Sequence, residues 1–192
     1  VMEIESRRIL DDELRWIKFS GAEWTPDSRG FFYARYPQPE KDAAFQSLNL
    51  NMKVYYHRIG TPQSSDVLVY ERPDHPEWGF RTDVSEDGRW LILTAWIGTD
   101  DRYRIFVRDL TEPYGIAFEL IDNFDHEFTF VGSEDHVLFF QTNQSAPNRR
   151  VIAISLKQPA PEHWVQVIPE TENVLEGVNI VGNLFVCQYL QD

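Results

Sequence analysis

Serines occur at Ser20, Ser47, Ser64, Ser65, Ser85, Ser133, Ser145 and elsewhere, and none carries the flanking glycines of a G-x-S-x-G nucleophile elbow. His126-Glu127 begins as an H-E-x-x-H zinc motif does, but Phe130 stands where the second histidine belongs, and a strand there would separate the two ligands. The histidines, His57, His75, His126, His136 and His163, fall in different strands or turns, so hydrogen-bonded or surface roles are expected and a shared metal site is not. Glycine loops that cradle nucleotide phosphates are missing, and no cofactor is expected. The remaining chemistry is that of binding. Phe19, Trp24, Trp78, Phe80 and Trp96 are aromatic candidates, although on strands such residues mostly build core. Trp96 stands apart, because it ends a strand and is followed by Ile97-Gly98-Thr99-Asp100-Asp101, a loop with turn chemistry.

The elements that would hold these residues are strands. Apolar segments are short, rich in Val, Ile, Phe, Tyr and Trp, and bounded by Gly, Pro, Asp and Asn. Only Asp11 to Phe19 has a helical look, and it is too short. A strand, a tight polar turn and a second strand recur at Glu23–Tyr33, Asp83–Leu93 and Phe130–Phe140. A third strand follows each pair (Val54–His57, Ile105–Arg108, Val151–Ile154), then a fourth (Val67–Tyr70, Phe118–Ile121, Trp164–Val167). Four strands recurring roughly every 45–50 residues describe propeller blades. Thr25-Pro26-Asp27-Ser28 and Ser85-Glu86-Asp87-Gly88 read as turns capped by their own side chains; calcium would need more converging oxygens than either supplies. Pro37 to Met52 reads as a polar, solvated insertion.

The predicted class is therefore all-β, a β-propeller segment. It divides into a half blade at 1–15, complete four-stranded blades at 16–72, 73–122 and 123–172, and a half blade at 173–192. In the N-terminal half blade, Val1–Ile4 and Arg8–Leu10 are the expected strands; in the C-terminal one, Val178–Val181 and Leu184–Tyr189. Exposed strand edges on such halves favour self-association of the segment.

Composition narrows the function. Eighteen basic against 31 acidic side chains leave a formal charge of −13 over 192 residues, which opposes binding to a nucleic-acid backbone. No apolar run reaches the roughly 18–20 residues of a membrane-spanning helix, and no membrane association is expected. The lone Cys187 fits a reducing, cytoplasmic setting. Asn143-Gln144-Ser145 has the form of a glycosylation acceptor, with nothing else pointing to secretion. Val1-Met2-Glu3-Ile4-Glu5 lacks a signal-peptide pattern, and a start at Val1 suggests a piece of a longer chain.

Several of these segments carry a family resemblance. Trp16-Ile17-Lys18-Phe19-Ser20-Gly21-Ala22-Glu23-Trp24-Thr25-Pro26-Asp27, continuing to Pro37, resembles a stretch of the propeller domain of prolyl oligopeptidases. The order continues with Lys53–Thr61, Pro76-Glu77-Trp78-Gly79, Val84–Arg89 and Val107-Arg108-Asp109-Leu110. Thr142-Asn143, Ala146–Arg149 and Val167–Glu170 complete it, so that the resemblance covers essentially the whole chain.

The resemblance implies a cytosolic serine peptidase that cuts short peptides after proline, with an α/β-hydrolase domain capped by a seven-bladed propeller. Its triad would lie in the hydrolase domain, which this sequence lacks, so no catalytic residue is assigned here and the chain alone should be inactive. The partners implied are oligopeptide substrates, the hydrolase domain and the remaining blades. Phe19 matches a family pocket phenylalanine in the same Lys-Phe-Ser context. Gly79 aligns with an apolar pocket residue, with Phe80 beside it as a substitute; Trp96 aligns with a basic residue and Thr99 with a cysteine of some members. The rival reading is a TolB-like or other propeller that binds proteins with no enzyme attached, and the sequence downstream of Asp192 would separate the two.

Overall fold

The computed structural model describes residues 1–39 and 49–191, and its regular structure is strands joined by turns, with two short 3-10 turns at Gln63–Ser65 and Pro161–His163. The first sheet contains β1 (Glu23–Trp24), β2 (Gly30–Arg35), β3 (Lys53–Arg58) and β4 (Val67–Glu71), in the order β1-β2-β3-β4. The second contains β5 (Trp78–Val84), β6 (Trp90–Ile97), β7 (Arg104–Asp109) and β8 (Phe118–Ile121), in the order β5-β6-β7-β8. The third contains β9 (Phe128–Glu134), β10 (Val137–Thr142), β11 (Arg150–Ser155) and β12 (Val165–Ile168), again in sequence order. β13 (Val174–Val181) and β14 (Leu184–Leu190) form a two-stranded sheet. Within each sheet every strand after the first thus pairs with its immediate predecessor, the meander of a propeller blade.

The turns explain the hairpins. Asp27 Oδ1 accepts from the Thr25 hydroxyl at 2.7 Å and from the Arg29 N–H at 3.1 Å. Asp87 Oδ1 does the same for Ser85 at 2.5 Å and Arg89 at 3.0 Å. Ser28 and Gly88 occupy the matching left-handed position, φ +55° and +73°. A short acidic side chain therefore caps each turn and sets the register of the strands that leave it.

The chain divides into two compact units, 1–84 with 93–99, and 85–92 with 100–192. In the first, Tyr33, Val54, Phe80 and Leu93 are among the buried side chains. In the second, Ile92, Ile105, Phe128, Leu138, Phe140 and Ile152 belong to one apolar cluster. β2 is buried along nearly its whole length, which is why Gly30–Arg35 shows no apolar–polar alternation.

Three expectations change. The N-terminal pair of strands is reduced to a single antiparallel bridge, Met2 to Ile9, with Ile4 and Ile9 exposed. Too few apolar contacts are available there to extend the ladder. Trp164 closes the second 3-10 turn instead of entering the fourth strand, which begins at Val165. The insertion expected at Pro37 to Met52 lies mostly outside the described residues, and its last residue, Met52, is buried and accepts the Phe80 N–H on Sδ at 3.0 Å. Asp11 to Phe19 is non-helical.

Candidate functional site

Phe19 is 71% exposed, yet its backbone sits at φ +61°, where a bulky side chain crowds the following carbonyl. Both flanks are tied to β2 or the residue that follows it. The Tyr36 N–H donates to the Trp16 carbonyl at 3.1 Å, and the Ala34 N–H donates to Ser20 Oγ at 2.8 Å. Lys18 Nζ donates to Asn49 Oδ1 at 3.0 Å. The loop is held on both sides and presents the ring to solvent. The positive φ, the exposed ring and the fastened flanks make Phe19 a candidate for contact with a ligand.

Gly79 and Trp96 belong together. The indole of Trp96 lies over Gly79, and a Cβ at position 79 would run into Cε2 and Cζ2 of that ring. Past Trp96 the chain turns at Gly98, φ +60°, and Thr99 is exposed. Phe80 points the other way, as successive strand residues must. It is 1% exposed, packed edge-on to Tyr70 at 5.4 Å between centroids. Its burial makes it a packing residue in this arrangement, out of a ligand's reach. Of the five candidates, Phe19 and Thr99 are exposed, Trp96 is half-buried, and Gly79 and Phe80 are buried.

Leading into β5, His75 stacks on Trp78 at 4.1 Å with the rings 5° from parallel, and Arg72 lies over the Trp78 ring at 4.5 Å. Arg72 also donates to Asp74 through Nε and Nη2, and those bonds hold the Asp74 carboxyl down at about 2. On β1 and β5, burial and then the Asp83 charge raise the Glu23 carboxyl above its usual range, while Arg81 pulls the other way. Burial likewise raises Asp83.

A second polar cluster is structural. His57 is fully buried with Nδ1 2.7 Å from Asp66 Oδ1 and Nε2 3.0 Å from Asp12 Oδ1. The Tyr33 hydroxyl donates to Asp66 Oδ2 at 2.6 Å and the Gly60 N–H to Asp12 Oδ1 at 2.6 Å. Burial and that bond to Asp66 hold the Tyr33 phenol well above its usual range. Burial opposes the charge on Asp12, but the Gly60 N–H and His57 outweigh it and keep its carboxyl low. With both ring nitrogens committed to carboxylates, His57 clamps Asp12 onto the blade and has no free position for a reacting group. Asn143 of the acceptor-like triplet is half-buried, its Oδ1 accepting the Glu127 N–H at 3.0 Å.

Comparison with known proteins agrees with this architecture. The family model described as prolyl oligopeptidase, N-terminal beta-propeller domain, matches residues 1–192. The chain belongs to the prolyl oligopeptidase family and is a segment of its β-propeller. It is 35% identical over 167 residues to prolyl oligopeptidase A of Amanita bisporigera, a match covering 78% of this chain and 21% of that protein. A solved prolyl endopeptidase, described for the role of inter-domain dynamics in catalysis and specificity, superposes with a TM-score of 0.87 at 32% identity, covering 100% of this chain and 27% of that one. Prolyl oligopeptidase B of Galerina marginata, bound to a 25mer macrocyclization substrate, superposes at 0.86 and 33% identity, covering 94% and 26%. The chain spans about a quarter of the length of the curated relatives it matches, from 21% to 27% for two of them.

Proposed function

We propose that this chain is the noncatalytic part of the cap of a serine endopeptidase that cleaves short peptides after proline. In this reading the propeller excludes folded proteins and contributes one wall of the substrate pocket. Phe19, Trp96 and Thr99 face the peptide, Gly79 makes room for the Trp96 indole, and Phe80 backs the strand from the core. The Ser-Asp-His triad belongs to the hydrolase domain of the parent protein, in the cytoplasm, where Cys187 stays a thiol.

The observation that carries the reading is Phe19, an exposed ring on left-handed backbone in a loop fastened at both flanks. Related enzymes solved with long peptide substrates supply the ligand class. The test is Phe19→Ala in the intact parent enzyme. Loss of apolar contact worth roughly 1–3 kcal/mol should raise KM for a proline-containing peptide several-fold and leave kcat nearly unchanged. An unchanged KM would remove Phe19 from the pocket.

A further inference from the structure

A groove of about 430 Å³ lies in the second unit, and none of Phe19, Gly79, Phe80, Trp96 or Thr99 lines it. One side is β8, with Leu120 and Ile121, and the residues that follow it. The other is the connection from β11 to β12, with Pro159, Pro161 and Trp164. The floor is apolar: Phe128 is 1% exposed, and Trp164 meets it edge-on at 5.9 Å between centroids. Trp164 is fixed in place, its indole N–H donating to the Pro159 carbonyl at 2.8 Å.

The rim is acidic. The exposed Asp122 and Asp125 line the groove, as does Glu119, which meets Arg104 at 3.2 Å; His126 also lines it, and the lining includes no lysine or arginine. β8 is the outermost strand of its sheet, and among the described residues no further strand pairs with its far edge. An apolar floor, a half-buried indole, a carboxylate rim and an outermost strand together suit one chemistry. That is an extended polypeptide bearing lysine or arginine, whose stem packs on the ring while its head reaches the carboxylates.

We propose that this groove docks an extended basic segment of a partner protein. The cationic side chain lies along Trp164 with its charge toward Asp122 and Asp125, and the main chain follows β8. The occupant is chosen by charge complementarity, since an acidic or neutral strand would meet the rim unpaired.

The test uses the full-length protein that carries this chain and two capped hexapeptides, one alternating valine with arginine and one alternating valine with glutamate. Binding is read by calorimetry. The arginine peptide should bind, weaken at least tenfold with Asp122→Asn/Asp125→Asn, and weaken again as salt is raised; the glutamate peptide should not bind. Both aspartates are exposed, so the double variant is expected to fold, and an unchanged melting temperature would check this. Trp164→Phe, which keeps a ring on the floor, should weaken binding less than the double variant does. Absence of arginine-peptide binding, equal binding of both peptides, or affinity untouched by the double variant would overturn the proposal. So would self-association of the protein that the same double variant abolishes, since that would give the groove to a second copy.

Discussion

Trp96 lies over Gly79 so closely that position 79 has no room for even a methyl group. The two residues come from neighbouring strands, β5 and β6, and the indole takes the space that a side chain on β5 would have filled. Gly79→Ala should therefore displace the ring and cost about 1–3 kcal/mol, as overpacking does. Adding Trp96→Ala should return part of that loss, a coupling visible in a double-mutant cycle by denaturant unfolding. Strict additivity of the two changes would mean that the ring and the backbone are independent.

Phe19 makes the opposite kind of prediction. Its left-handed backbone costs about 1–2 kcal/mol for a non-glycine residue, and glycine's extra freedom when unfolded costs about 0.5–1 kcal/mol. Phe19→Gly should therefore leave the melting temperature unchanged or slightly higher, while substrate KM rises in the intact enzyme. A clear fall in melting temperature would mark the ring as core.

His57→Leu should be severe. It leaves the buried Asp12 and Asp66 carboxyls without the ring that bonds both, a loss of about 3–5 kcal/mol by thermal or denaturant unfolding. In the unsubstituted protein Asp12 titrates lower when folded than when unfolded, so its contribution is present above the ordinary carboxylate value and fades as pH falls through the folded one. Asp100, held at about 2 by Arg102, has the same sign. Stability should fall below pH ~4.

Glu23 carries the reverse sign. Its folded carboxyl is raised, so ionisation opposes folding as pH climbs through that value. Glu23→Gln should raise the melting temperature at pH 7, and the gain should shrink toward pH 4. A gain that is constant with pH would sink this account.

Purified on its own, the chain should hydrolyse no Gly-Pro reporter peptide, because no serine in its sequence has the G-x-S-x-G spacing of an activated nucleophile. It should also associate with itself. Leu184, Val186 and Leu190 on β14 are 70%, 53% and 50% exposed on one face of a two-stranded sheet. Val186→Lys should lower the apparent mass in light scattering at high concentration.

The blades are legible because their punctuation is chemical: Asp27 and Asp87 cap their turns with their own side chains, and Asp135 takes the left-handed position of the turn between β9 and β10. The N-terminal pair misled because Val1, Met2 and Ile4 look strand-like without burying enough surface to pair. By the resemblance Phe80 stands beside Gly79 as a pocket substitute, but the period of two sends neighbours to opposite faces: Gly79 lies under the Trp96 indole, whereas Phe80 packs on Tyr70. The His57 cluster left no local trace. Its acids come from Asp12 and Asp66, on either side of the histidine, and only the folded blade brings them together.

The sequential order of strands within every sheet has a consequence for synthesis. No four-stranded sheet has to wait for a distant partner, since β4 completes one before β5 begins, and β8 and β12 do likewise. A chain emerging from the ribosome at about 5–20 residues per second can thus bank each meander as it appears. The exposure of sticky, half-built sheets is limited to one blade at a time.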